Sequence, residues 1–146
     1  MEDRTGKIIK NIRWFIVHIG INTILYIILL ILIQGMWLWG IPDEEDVEYF
    51  TISYPSVTET IKTYEEDRKI EQSVDLVRFL NYIPFKTADT SKPPLITITY
   101  YTNDGQTLTV SANNDTVWWK DKAYALKDDE TFIKLVEGIF FLDEIE

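Results

Sequence analysis

The hydrophobic and polar positions divide the chain into one long uncharged run followed by shorter alternating segments. No Asp, Glu, Lys or Arg occurs between Arg13 and Asp43. As a helix, Trp14–Trp39 would extend about 39 Å, which exceeds the roughly 30 Å hydrocarbon core of a bilayer. The run is also longer than the roughly 7–15 apolar residues of a cleaved signal peptide, and no alanine precedes Ala88. The pattern predicts one uncleaved transmembrane helix.

Charges on either side of the run orient this helix. Basic residues precede it, whereas acidic residues follow it and the next basic residue is Lys62. Because the Lys/Arg-rich flank of a span stays in the cytoplasm, we expect the C-terminal portion to lie outside the cell membrane. The predicted organisation is a cytoplasmic tail over 1–13, a transmembrane helix over 14–41, an acidic linker over 42–46 and an extracytoplasmic domain over 47–146.

Two polar residues inside the apolar run, His18 and Asn22, share one helix face because they are four positions apart. One interpretation is that His18 lies near the inner interface and that Asn22 is tolerated there. The other is that both residues contact a second transmembrane helix, where polar side chains contribute roughly 0.6 to 2 kcal/mol. The sequence leaves both open.

The remainder is strongly acidic and contains no cysteine. Residues 42–146 carry ten Lys/Arg and 22 Asp/Glu, a net charge of −12. Such a domain is repelled by nucleic-acid phosphates, so no nucleic-acid partner is expected. Without disulfides, the domain must be held together by its own hydrophobic core.

Alternating and helical patterns predict an α+β domain. Residues 47–54 and, more weakly, 58–64 are typical strands, although Ser56 and Glu59 also have the spacing of a helix capping box. Residues 65–82 have the apolar periodicity of a helix. Further on, 95–102 and 106–111 predict a hairpin, and a three-residue loop with Gly105 in the left-handed conformation places their apolar residues on one face.

A second hairpin is predicted over 116–126 with its turn at Asp121–Lys122, followed by a helix that Asp128, Asp129 and Glu130 would begin. The expected fold is a transmembrane helix followed by an antiparallel sheet of about five to six strands, with two hairpins, packed with two helices.

The chain lacks the residues of common catalytic sites. It has no cysteine, and its one histidine, His18, lies in the apolar run, so a histidine triad or Cys/His metal site in the outer domain is excluded. We predict no enzyme activity, no cofactor and no metal. Paired carboxylates that hydrolyse a cell-wall glycan remain the alternative chemistry.

Trp118 and Phe141 are predicted to point away from the apolar faces of their elements. Exposed aromatic side chains are frequent at partner surfaces, so both are candidate partner contacts. A sheet covered on both faces, or a register shifted by one residue, would bury them instead.

The segments Pro94–Tyr101, Asp104-Gly105 and Thr116–Tyr124 resemble small single-pass, membrane-anchored extracytoplasmic proteins of Gram-positive bacteria. Asp121 stands where that pattern has glycine. The resemblance implies a fold and carries over no active-site residue. We expect a binding domain that senses a ligand or that regulates, or gives immunity at, a membrane complex, with lipid and another membrane or envelope protein as partners. The alternative is a structural accessory subunit that acts through its transmembrane helix.

Overall fold

The computed structural model describes residues 2–127 and 130–145 of the chain. These residues form two compact units, one up to Gln34 and one from Gly35 onward. The first unit is a single helix and the second contains every strand, so the fold is α+β as the sequence predicts.

The first unit is helix α1, Glu2–Gln34. Its segment Gly6–Gln34 spans 29 residues with a mean hydropathy of 2.6, which is long and apolar enough to cross a membrane. The helix ends at Gln34, whereas the sequence predicts a span up to Ile41. Gly35 ends it with a φ of 80°, and a Cβ there would lie 2.9 Å from the carbonyl oxygen of Tyr82, so only glycine fits.

The residues after Gly35 belong to the second unit. Met36–Trp37 form strand β1, and Leu38 is buried in the core of the domain. The predicted acidic linker is also part of this unit. Glu44–Asp46 form a 3₁₀ turn, and Arg78 contacts the carboxylates of Asp43 and Glu44. Residues 35–41 therefore belong to the domain and not to the helix, a difference that an uninterrupted apolar run does not reveal.

A six-stranded antiparallel sheet forms the centre of the domain. Its strands are β2 Val47–Tyr54, β3 Thr58–Tyr64, β5 Ile96–Thr102, β6 Thr107–Ala112, β7 Thr116–Trp119 and β8 Lys122–Ala125, in the order β3-β2-β5-β6-β7-β8. The strand alternative for residues 58–64 is confirmed. Strand β4, Asn81–Tyr82, pairs with β1 in a separate two-stranded ladder that the sequence did not predict.

The first hairpin has the predicted register. Tyr100 pairs with Leu108 and Ile98 with Val110, and Gly105 has a φ of 80°. The turn of the second hairpin lies one residue earlier than predicted. It is formed by Lys120–Asp121, both with positive φ, and Trp119 pairs with Lys122. The alternation of β7 is unchanged by this shift.

Helices α2, Asp67–Arg78, and α3, Thr131–Phe140, pack against one face of the sheet, and a short helix α4 covers Leu142–Ile145. Tyr100 of the sheet donates to the carbonyl of Ser73 at 3.0 Å, and Phe50 contacts the ring of Phe140. Asp128 and Asp129, predicted to cap α3, lie outside the described residues. Glu130 precedes the helix with a φ of 62° and makes no capping hydrogen bond through its side chain.

Candidate binding surfaces

The face of the sheet opposite the helices carries no charged side chain on three cross-strand rows. Strand pairing places these residues in line, and none of them is fully buried. The rows are Tyr49–Tyr101–Thr107, Thr63–Thr51–Thr99–Thr109 and Ser53–Thr97–Ser111–Trp118–Ala123. We call these twelve residues the hydroxyl face. Its lack of charge contrasts with the net charge of −12 on the same portion of the chain.

Neighbouring side chains on the hydroxyl face contact one another in pairs. The hydroxyl oxygens of Thr97 and Ser111 lie 3.0 Å apart, and those of Thr99 and Thr109 lie 3.2 Å apart. Tyr49 and Tyr101 stack with ring centroids 4.4 Å apart. These contacts hold the side chains in defined positions relative to one another.

Trp118 lies between Ser111 and Ala123 in the longest row, on the face of the sheet opposite Val117 and Trp119, as the sequence predicts. Its strand neighbours Val117 and Trp119 are buried, whereas Trp118 is partly exposed. Whether Trp118 contacts a partner stays a prediction.

The predicted exposure of Phe141 is wrong, because its side chain is 0% exposed. Helix α3 ends at Phe140, and Phe141 has a φ of −130°, so the helical periodicity no longer determines where its side chain points. The ring packs edge-on against Tyr54, and the ammonium group of Lys62 lies 4.6 Å from its centroid. Phe141 is therefore a core residue and not a partner contact.

Two lysine side chains cap the C-terminal end of α3, next to Phe141. Lys62 donates to the carbonyl of Phe140 at 2.7 Å and Lys69 donates to that of Ile139 at 3.1 Å. Cations at a helix C-terminus satisfy free carbonyls and favour the helix dipole. Nearby, Tyr54 donates to Glu137 at 2.6 Å. Burial, helped by the contact with Glu137, raises the pKa of Tyr54 to about 12.

Two exposed aspartates have pKa values below their ordinary value. Hydrogen bonds from the side chain and backbone of Ser91 lower the pKa of Asp89, and those from Thr102 and Gln106 lower that of Asp104. A general acid needs the opposite shift. Among the described residues, no group of three or more His, Asp or Glu side chains is placed to hold a metal ion.

The two candidate contact residues of α1, His18 and Asn22, are bonded within their own helix. Asn22 donates through its side-chain amide to the carbonyl of His18 at 2.9 Å, and Nδ1 of His18 lies 3.1 Å from the carbonyl oxygen of Trp14. Each side chain thus has a backbone partner one turn earlier. A contact with another helix remains a prediction.

A pocket that the sequence did not suggest lies beside the ladder of β1 and β4. It has a volume of about 250 Å³ and is lined by Trp39, Tyr82, Trp119, Lys120, Lys122 and Tyr124, among others. We call it the lysine pocket. Its residues come from three separated parts of the chain. The pairing of β1 with β4 brings them together, and strands of two residues are too short to show a recognisable sequence pattern.

Phe85 and Phe79 are further exposed aromatic side chains, at 99% and 76%. Phe85 occupies the third position of a turn whose ends, Ile83 and Lys86, are joined by a 3.4 Å hydrogen bond, and its φ is 65°. Glycine is favoured at that position. Phe85 thus combines an unfavourable backbone conformation with complete exposure.

No family model, no curated protein and no solved structure matches this chain.

Proposed function

We propose that this chain is a single-pass membrane protein of the bacterial cell envelope whose C-terminal domain lies outside the membrane and binds a protein partner without catalysis. The observation that carries this proposal is the hydroxyl face. In a domain with 22 acidic residues, three adjacent rows of exposed side chains carry none of them.

Depletion of charge and enrichment of aromatic residues are the compositional features of an interface core. On the hydroxyl face, Tyr49, Tyr101 and Trp118 supply aromatic area, and the threonine rows offer hydrogen-bond donors and acceptors. The rows extend from β3 to β8 across the sheet, which suits another folded surface better than it suits a buried small molecule. The expected partner is a protein of the same membrane or envelope.

The membrane anchor in this proposal is supported by α1 and by the charge distribution. The helix has the length and hydropathy of a span, and the four Lys/Arg residues in its first 12 residues favour a cytoplasmic N-terminus. Protease added to intact cells should remove the domain, whereas protection of the domain would show that the orientation is the reverse of the one proposed.

The accessory-subunit alternative receives less support. His18 and Asn22 each have one hydrogen-bond partner within α1, so part of their hydrogen-bonding capacity is met without a second helix. Replacing α1 with an unrelated apolar helix should leave partner binding intact in our proposal. The glycan-hydrolase alternative also lacks support, since the two described carboxyl groups with shifted pKa values are both lowered.

The test is photo-crosslinking of the full chain in cells of its source. p-Benzoylphenylalanine is placed at Tyr101, on the hydroxyl face, or at Phe79, an exposed aromatic residue that directly follows α2. We expect one discrete protein adduct from the Tyr101 position and none of that mass from Phe79. The same adduct from Phe79 alone would place recognition away from the hydroxyl face.

A charge inserted into the hydroxyl face provides the matched control. Thr99→Lys adds a charge at the centre of the face, and Leu142→Lys adds the same charge at a position that is 55% exposed elsewhere. Unpaired charge in a desolvated interface is costly. We expect Thr99→Lys to reduce the Tyr101 adduct at least tenfold and Leu142→Lys to leave it unchanged. Equal adduct yields in both variants would overturn the assignment of the face.

A further inference from the structure

We propose that the lysine pocket binds the phosphate headgroup of an anionic phospholipid from the membrane in which the chain is anchored. This inference rests on the membrane anchor of the proposed function, but it concerns a different surface and a different ligand. Four observations support it: the chemistry of the pocket, the state of its lysines, the exposed tryptophans beside it and its position in the chain.

The pocket combines two ammonium groups with aromatic walls. Lys120 and Lys122 line it, and Tyr82 and Tyr124 form one wall with ring centroids 4.6 Å apart. Trp119 forms another part of the wall and donates from its indole nitrogen to the carbonyl of Trp39 at 2.8 Å. Cationic groups at the mouth of an aromatic cavity suit a phosphate joined to a neutral glycerol or acyl portion.

The two lysines are available to an anion. Neither makes an ion pair with a carboxylate among the residues that the structure describes, including Asp121 between them. The ammonium group of Lys120 lies 5.4 Å from the ring centroid of Trp119 and against the backbone of Gly40, where a Cβ would collide with it. The absence of a side chain at Gly40 thus leaves room for the ammonium group of Lys120. By contrast, Lys92 and Lys134 each pair with an acid at 2.9 Å.

Exposed tryptophans lie beside the pocket. Trp37 and Trp39 are 57% and 66% exposed, and their rings are 5.9 Å apart. Tryptophan is enriched where a protein meets lipid headgroups, because its ring is apolar and its N–H is polar. In water, by contrast, an adjacent pair of exposed tryptophans leaves the apolar surface of both rings in contact with solvent.

The position in the chain determines which anion is available. Gly35 alone separates Gln34, the last residue of α1, from Met36, the first residue of β1. If α1 crosses the bilayer, a few residues of backbone confine β1, and with it Trp39, to the lipid surface. Phospholipid headgroups are then present at high effective concentration, whereas a soluble phosphate compound is dilute. We therefore assign the pocket to lipid.

The experiment uses the full chain reconstituted in nanodiscs that contain equal amounts of phosphatidylglycerol and phosphatidylcholine. p-Benzoylphenylalanine at Tyr124, inside the pocket, is photo-activated, and the lipid adducts are identified by mass spectrometry. Because each lysine near an anionic surface contributes about fivefold in binding, we expect phosphatidylglycerol adducts to exceed phosphatidylcholine adducts at least fivefold.

Two variants with the same change in net charge separate the pocket from general electrostatics. Lys120→Gln combined with Lys122→Gln should reduce the adduct ratio to about one. Lys92→Gln combined with Lys134→Gln, outside the pocket, should leave it unchanged. No enrichment in the unmodified chain, or equal enrichment in both double variants, would overturn the proposal.

Two further outcomes separate this proposal from the one it rests on. A chain that fails to enter nanodiscs would overturn both the membrane anchor and the lipid site, whereas a chain that enters without enrichment would overturn the lipid site alone. Loss of enrichment when millimolar inorganic phosphate is added would show that the pocket takes a free anion and would overturn the assignment to lipid.

Discussion

The two faces of the six-stranded sheet are formed by alternate residues of the same strands, yet they have different chemistry. The inner face carries Phe50, Ile52, Ile98 and Tyr100, all 0% exposed, under α2 and α3. The hydroxyl face carries uncharged side chains, mostly threonine and serine with three aromatic residues, and all of them are at least partly exposed. Burial explains the inner face completely. On the outer face, solubility favours charged residues, so the three uncharged rows are the feature on which the proposed binding surface rests.

The largest expected effect contrasts the two aromatic residues that the sequence suggested as partner contacts. Phe141→Ala should lower the free energy of unfolding by about 3–5 kcal/mol, because it removes a fully buried ring. Trp118→Ala should cost at least about 2 kcal/mol less, because Trp118 is partly exposed on the hydroxyl face. Urea unfolding of the detergent-solubilised chain, followed by near-ultraviolet circular dichroism, measures both.

A similar cost for the two substitutions would contradict this contrast. It would mean that the hydroxyl face is packed as tightly as the core, and the case for a binding surface would fail with it. Retention of a cooperative transition in Trp118→Ala is required as well, because a broadened transition would place Trp118 in the folding core.

The positions of residues inside a regular helix or strand were predictable from the sequence, whereas those of residues just beyond the end of an element were not. The two-residue period of β7 identified the side of the sheet on which Trp118 lies, and the three-residue loop at Gly105 gave the register of its hairpin. Phe141 and the β1 strand come immediately after helices end. At these positions a single backbone angle changes the direction of the chain, and the hydropathy of the sequence does not predict that angle.

The candidate sites follow the same rule. The hydroxyl face could be anticipated for β5 and β6, where threonines alternate with apolar residues over adjacent strands. Its extension to Thr51 and Trp118 required the strand order, which local patterns do not contain. The lysine pocket could not be anticipated, since Trp39 and Lys122 approach each other through the pairing of β1 with β4 and of Tyr82 with Leu126.

A smaller effect concerns Tyr54, an inner-face residue whose hydroxyl reaches Glu137. Tyr54→Phe should lower the free energy of unfolding by about 1 kcal/mol at pH 7, because Glu137 loses its donor. The folded-state pKa of about 12 lies above the ordinary value of 10.0. The stabilisation by Tyr54 is therefore complete below pH 10 and is lost as the pH rises from 10 towards 12.

Urea unfolding at several pH values checks this linkage. The unmodified chain should lose more stability between pH 10 and pH 12 than Tyr54→Phe does. Burial also raises the pKa of Tyr100, but Tyr100 is present in both proteins, so the difference between their pH profiles isolates Tyr54. Parallel profiles would show that the contact with Glu137 does not affect the titration.

The smallest expected effect tests the hydroxyl face directly. Thr99→Val keeps a β-branched side chain of nearly the same shape and removes the hydroxyl that lies 3.2 Å from that of Thr109. Both residues are accessible to water, which replaces the lost hydrogen bond, so the free energy of unfolding should change by no more than about 0.5 kcal/mol. The yield of the Tyr101 photo-adduct should nevertheless fall severalfold, because a partner that pairs with this hydroxyl loses its contact. A loss above about 1 kcal/mol with an unchanged adduct would reverse the interpretation: the threonine rows would then hold the sheet together, and the two faces would both serve folding.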